Sequence, residues 1–89
     1  MADYSVTFAR SARKELEKLP SSFARRIIEQ IDALAINPRP PRSVKLQGNR
    51  KLWRIRVGYY RVIYAVDDSS RTIDVSVVRH RRDAYRDLQ

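Results

Sequence analysis

Arginine, lysine and tyrosine concentrate in two neighbouring segments, Lys51 to Val57 and Tyr59 to Val66. These residue types suit phosphodiester chemistry on RNA. RNA carries its own nucleophile, the 2′-hydroxyl, so cleavage needs no metal to generate one. The protein must hold that oxygen in line with the adjacent phosphorus. It must also stabilise extra negative charge on the phosphate and protonate the departing 5′-oxygen. Arginine meets the charge requirement through paired donors and a permanent cation. A tyrosine among cations can assist proton transfer, because nearby positive charge favours the phenolate. Aromatic rings also stack on splayed bases.

Other chemistries find few candidates. The chain has one histidine, His80, and no cysteine. Its acids are scattered, and the adjacent pair Asp67 and Asp68 falls in a predicted turn. No spacing matches a zinc, magnesium or two-metal site, so neither a metal nor another cofactor is expected. Two glycines, Gly48 and Gly58, are too few for a phosphate-cradling loop. No serine has a credible base and orienting acid.

The distribution of charge points the same way. The formal net charge is +9. Residues 1–38 contribute +1 and residues 67–89 contribute zero, whereas residues 39–66 carry eight cations and no acid. A patch of that kind attracts a polyanion, most commonly nucleic acid. The competing reading is a solvated basic surface that aids solubility. Lys45, Arg50 and Lys51 in this segment, with Arg81 and Arg82 beyond it, are the candidate RNA-binding residues outside the chemistry itself.

Eighty-nine residues suffice for one domain, spanning 1–89. Residues 4–8 alternate polar and apolar, as in a half-buried strand. Phe8, Ala12, Leu16 and Leu19 recur at helical spacing up to Pro20. Ser21 or Ser22 is expected to cap a second helix. Its stripe is Phe23, Ile27, Ile31 and Leu34, joined by Ala24, Ile28 and Ala35. Asn37-Pro38 ends it, and the short link between the helices predicts an antiparallel hairpin. Residues 38–43 form a stiff, extended crossover.

Three strands are expected at 51–57, 59–66 and 71–78, separated by Gly58 and by a turn at 67–70. In the first of them Trp53, Ile55 and Val57 point one way, and Arg54 and Arg56 the other. In the last, Ile73, Val75 and Val77 are expected on the core face. The tail, residues 79–89, suits a short helical turn. The architecture is therefore α+β: an N-terminal strand and a helical hairpin packed on a mainly antiparallel sheet, in the order β-α-α-β-β-β. No apolar run is long enough to span a membrane, and residues 1–15 lack a signal-type apolar core. The expected location is the cytoplasm, away from membranes.

Four segments in order carry a resemblance: KLQG at 45–48, WRIRV at 53–57, YYRVIY at 59–64 and VVRHRRDAY at 77–85. Together, behind a helical hairpin, they resemble the RelE/ParE superfamily of type II toxin-antitoxin toxins, and more closely its RelE-like mRNA interferase branch. That resemblance implies ribosome-dependent cleavage of mRNA in the A site and inhibition of translation. It also implies an acidic, partly disordered antitoxin as partner, with promoter DNA reached only through that antitoxin. The catalytic positions it implies are Arg54, Arg56, Arg61, Arg79 and Tyr85; His80, outside that set, is a candidate for proton transfer by its residue type. In one respect the chain departs from the pattern. Well-known members have lysines where this chain has Arg54 and Arg56, and arginine side chains do not shuttle protons near neutrality.

Each assignment has a plainer rival. Arg54 and Arg56 also suit an exposed pair that protects a strand. Arg61 also suits an ion pair with Asp74. Arg79 also suits an ordinary charge at a strand end, Tyr85 a packing anchor, and His80 a surface histidine. For the whole protein, the rivals are a ParE-like, non-catalytic inhibitor of DNA gyrase and a simple basic RNA-binding module.

Overall fold

The alternating and helical patterns resolve into seven elements in the computed structural model, which describes residues 3–48 and 51–80. They are β1 (Ser5–Phe8), α1 (Arg10–Lys18), α2 (Ser21–Leu34), β2 (Val44–Lys45), β3 (Leu52–Val57), β4 (Tyr60–Asp67) and β5 (Thr72–His80). The sheet order is β1-β5-β4-β3-β2. β1 runs parallel to β5, and the other neighbours are antiparallel. The chain starts at one edge, crosses by the helical hairpin to the other edge, and returns strand by strand. That crossing covers one face of the sheet with helices.

The covered face holds the core. Ala12, Leu16, Ile27, Ile31 and Leu34 of the hairpin meet Ile55, Val57, Val62, Tyr64, Val66, Ile73, Val75 and Val78 of the sheet. Burial of an aliphatic side chain in such a layer stabilises the fold by about 1.5–3 kcal/mol. Tyr64 is fully buried, and its hydroxyl donates to the Pro38 carbonyl at 2.7 Å. This bond fixes the start of the crossover against the core, and burial pushes the phenol's pKa up.

The structure corrects four sequence expectations. The sheet has a fifth strand, the two-residue β2, too short to show a period. Pro20 occupies the N-cap of α2, and its carbonyl accepts the Phe23 and Ala24 amides, both at 3.0 Å. Leu19 already closes α1, so the link leaves no residue between them and Ser21 is helical. The apolar stripe of α2 is also narrower than predicted. Phe23 stays 47% exposed in the first turn, beside the β3–β4 turn, and Ile28 stays 40% exposed on the flank.

The fourth correction concerns β5. Tyr64 pairs with Val75, but Ile63 pairs with Val77, so Ser76 is an additional residue, a β-bulge. An additional residue reverses the alternation. Val78, not Val77, therefore joins Ile73 and Val75 in the core, with 1% exposure.

Candidate functional site

Strand pairing places the predicted arginines. Residues directly opposite in an antiparallel pair share a face. Arg56 of β3 lies opposite Arg61 of β4, and Arg61 lies opposite Arg79 of β5. Three arginines thus stand in one row across three adjacent strands, over about 10 Å. Arg54, two residues before Arg56, shares their face opposite Ile63. This is the face opposite the one that α1 and α2 cover.

The bulge completes the row. Counted by simple alternation from Ile73 and Val75, Arg79 would fall on the helix side. The additional residue at Ser76 turns Val78 inwards and Arg79 towards Arg61. Gly58 also contributes. Val57 pairs with Tyr60, so Gly58 and Tyr59 form a two-residue turn, and Gly58 has φ +59°. A glycine with positive φ as the first turn residue suits a tight hairpin and keeps Arg56 and Arg61 in register.

Exposure is graded along the row. Arg56 is exposed, Arg79 and Arg54 are half-buried, and Arg61 is 5% exposed. Among the described residues Arg61 is the one buried charged side chain. Like charges directly opposite one another destabilise a sheet. A partly desolvated guanidinium, held in place, also interacts more strongly with an anion than one in bulk water. The arrangement concentrates positive charge on one face and is suited to holding a phosphate. The rival ion pair of Arg61 with Asp74 is not formed. Asp74 lies opposite Ala65, four residues along β4, and accepts the Thr7 hydroxyl at 2.9 Å.

Other candidates fall elsewhere. Lys45 lies opposite Trp53 and so shares the helix-side face of that residue. Lys51 reaches Asp67 at 4.0 Å, at the far end of β4 from Arg61. His80 lies opposite Tyr60 on the helix side, edge-on to the Tyr60 ring at 5.4 Å and stacked on Tyr59 at 6.2 Å. The row and His80 are therefore not brought together. Arg50, Arg81, Arg82 and Tyr85 lie outside the described residues, as does the predicted helical tail beyond His80; its expected first two residues, Arg79 and His80, instead continue β5. Among the described residues no three His, Cys, Asp or Glu side chains gather as a metal site.

Sequence reasoning missed one feature near the row. Phe23, Tyr59, Tyr60 and His80 form a chain of ring contacts at the same end of the sheet. The helical spacing alone places Phe23 on the core stripe. The signal was the paired tyrosine after Gly58, where only one ring can face inwards.

The comparison with known proteins now settles the family. The profile of the family described as the ParE toxin of the type II toxin-antitoxin system parDE matches residues 6–85. This chain belongs to the RelE/ParE superfamily of type II toxins. Toxin RelG of Mycobacterium tuberculosis is 35% identical over 86 residues, covering 93% of this chain and 97% of the relative. The RelE–RelB complex from Pyrococcus horikoshii contains a chain with TM-score 0.80 and 33% identity, covering 89% of this chain and 96% of that one. The RelBE2 toxin-antitoxin complex of Mycobacterium tuberculosis gives TM-score 0.77 at 30% identity, covering 91% and 94%. The RelE/ParE fold read from the sequence is thus the fold observed. Among the described residues, no helix of this toxin is long and apolar enough to cross a membrane.

Proposed function

We propose that this toxin is a ribosome-dependent endoribonuclease that cleaves mRNA in the A site and so stops translation. The observation that carries the reading is the cross-strand row of Arg56, Arg61 and Arg79. In the proposed reaction the substrate's 2′-oxygen attacks the adjacent phosphorus and its proton is taken up. The P–O5′ bond breaks, and the leaving oxygen is protonated. The products are a 2′,3′-cyclic phosphate and a 5′-hydroxyl end.

Arg61, central and buried, stabilises charge on the phosphate as it rises. Arg54 and Arg56 grip the phosphate from β3, and Arg79 supports the leaving oxygen from β5. Tyr85 orients or deprotonates the 2′-hydroxyl. The row supplies cations but little acid–base chemistry, so the ribosome supplies part of the geometry by holding the mRNA in line. No metal enters the scheme.

The same reading gives the toxin an acidic antitoxin partner in the cytoplasm. Two observations support it: the cation-rich segment 39–66, and the RelB-bound state of its structural neighbours. Promoter binding would come through that antitoxin. A second reading, gyrase inhibition without catalysis, is favoured by the ParE wording of the matching family profile.

Primer extension on an mRNA translated in a purified system separates the two. Cuts inside A-site codons that need programmed ribosomes are the expected result. Folded, antitoxin-free toxin that cuts neither programmed nor naked mRNA, but inhibits gyrase, would replace the first reading with the second.

A further inference from the structure

Next to the arginine row, one residue along each strand, lies the row Val57, Tyr60 and His80. Its side chains point to the opposite face, so the two rows back onto each other at one end of the sheet. At that end a groove of about 260 Å³ opens between α2 and the β3–β4 turn. Phe23, Arg26, Val57, Tyr59, Tyr60 and His80 line it. The rings touch in sequence: Phe23 to Tyr60 at 6.4 Å, Tyr60 to His80 at 5.4 Å, and His80 to Tyr59 at 6.2 Å. Both ends of this chain stand open to solvent, with Phe23 47% and Tyr59 72% exposed.

We propose that this groove is a stacking site for one unpaired nucleobase of the RNA strand whose phosphate lies on the arginine row. The proposal rests on the phosphate-binding reading above. Three observations select this occupant. Exposed flat rings offer π-faces, which every base can use. Among the described residues no acid lines the groove, and Arg26 adds a cation, which suits a ligand that carries phosphate. The groove also lies at the same end of the sheet as the row, on the opposite face, since Arg79 and His80 are consecutive residues of β5. A strand passing over the end of the sheet therefore meets the cations first and the rings next. A second apolar groove, between α1 and α2, contrasts with this one. It is lined by Phe8, Leu16, Ala24 and Ile28 with Arg13 and Glu17, so it offers a single ring and has no such charge bias.

The test uses the full chain and a short 2′-O-methyl RNA, which resists cleavage. One version carries 2-aminopurine beside the central phosphate, and the other is abasic there. Wild-type toxin is expected to bind the abasic RNA about 10-fold more weakly and to quench the 2-aminopurine. In Phe23→Ala/Tyr59→Ala the difference should fall to within about twofold, without quenching. Tyr59→Phe, which keeps a ring, should restore it. Both positions are exposed, so the fold should survive these changes.

An undiminished difference in the double variant would overturn the proposal. So would equal binding of both RNAs by wild-type toxin, or a double variant that loses antitoxin affinity alone. Arg61→Ala separates the two readings. If that variant binds RNA like wild type yet keeps the base-dependent difference, the phosphate row is wrong and the groove stands.

Discussion

Two arginine clusters sit at opposite ends of the sheet, about 20 Å apart along β4. At one end Arg39 bonds Asp68 at 2.7 Å and lies 5.5 Å over the Trp53 ring. Tyr4 donates to the same carboxylate at 2.7 Å. There the cation is answered by an acid and an aromatic face, and the cluster joins the crossover, β1 and the β4–β5 turn. At the other end Arg61 has arginines as its cross-strand neighbours on both sides. The first arrangement holds the fold together. The second sets cations side by side on adjacent strands, and in the proposed function it receives an RNA phosphate. Residue type alone does not separate a structural arginine from a substrate-binding one; the neighbours do.

The largest expected effect falls on the second cluster. Arg61→Ala should lower the rate of A-site cleavage by about 10²–10³-fold, the cost of removing a donor aimed at developing charge. Unfolding curves should show the variant still folded. Near-wild-type cleavage by this variant would remove the distinction between the clusters.

Next comes the bulge that completes the row. Val78→Ala should destabilise by about 2 kcal/mol in urea unfolding, whereas Val77→Ala should cost less than about 1 kcal/mol. The reverse order would mean that β5 alternates without interruption and that Arg79 faces the helices. A smaller effect is expected in salt titrations of RNA binding. Arg56→Ala should reduce the slope by about 0.7 for one lost phosphate contact, and Arg39→Ala should leave it unchanged.

The smallest effect concerns the first cluster and has a defined pH dependence. Arg39 and Tyr4, by hydrogen bonding, hold the Asp68 carboxyl below the usual carboxylate range. A depressed folded pKa stabilises above the unfolded pKa and loses that contribution as pH falls through the folded value. Asp68→Asn should therefore be less stable than wild type at neutral pH, and the gap should close in acid. Cleavage by this variant should be unchanged.

The local parts of this arrangement were legible in the sequence. Trp53, Ile55 and Val57 alternate with Arg54 and Arg56, and that period alone gave β3 its two faces. Gly58 marked the turn, and Asn37-Pro38 marked the end of the second helix. What escaped depends on contacts between distant segments. The bulge at Ser76 exists only in the pairing of β5 with β4, so simple alternation puts Val77 in the core and hides the row. β2 exists only through pairing of Val44 with Arg54 and Lys45 with Trp53. Phe23 had the right spacing for the core, but it sits where the sheet ends.

Phosphate is expected on the Arg56, Arg61 and Arg79 row and not on the Arg39 cluster. The most direct measurement is an NMR titration of the arginine Nε–H signals with an uncleavable 2′-O-methyl RNA. Shifts at Arg56, Arg61 and Arg79, with Arg39 unmoved, are the predicted result. Shifts confined to Arg39, or saturable binding that leaves all three row signals in place, would contradict the account.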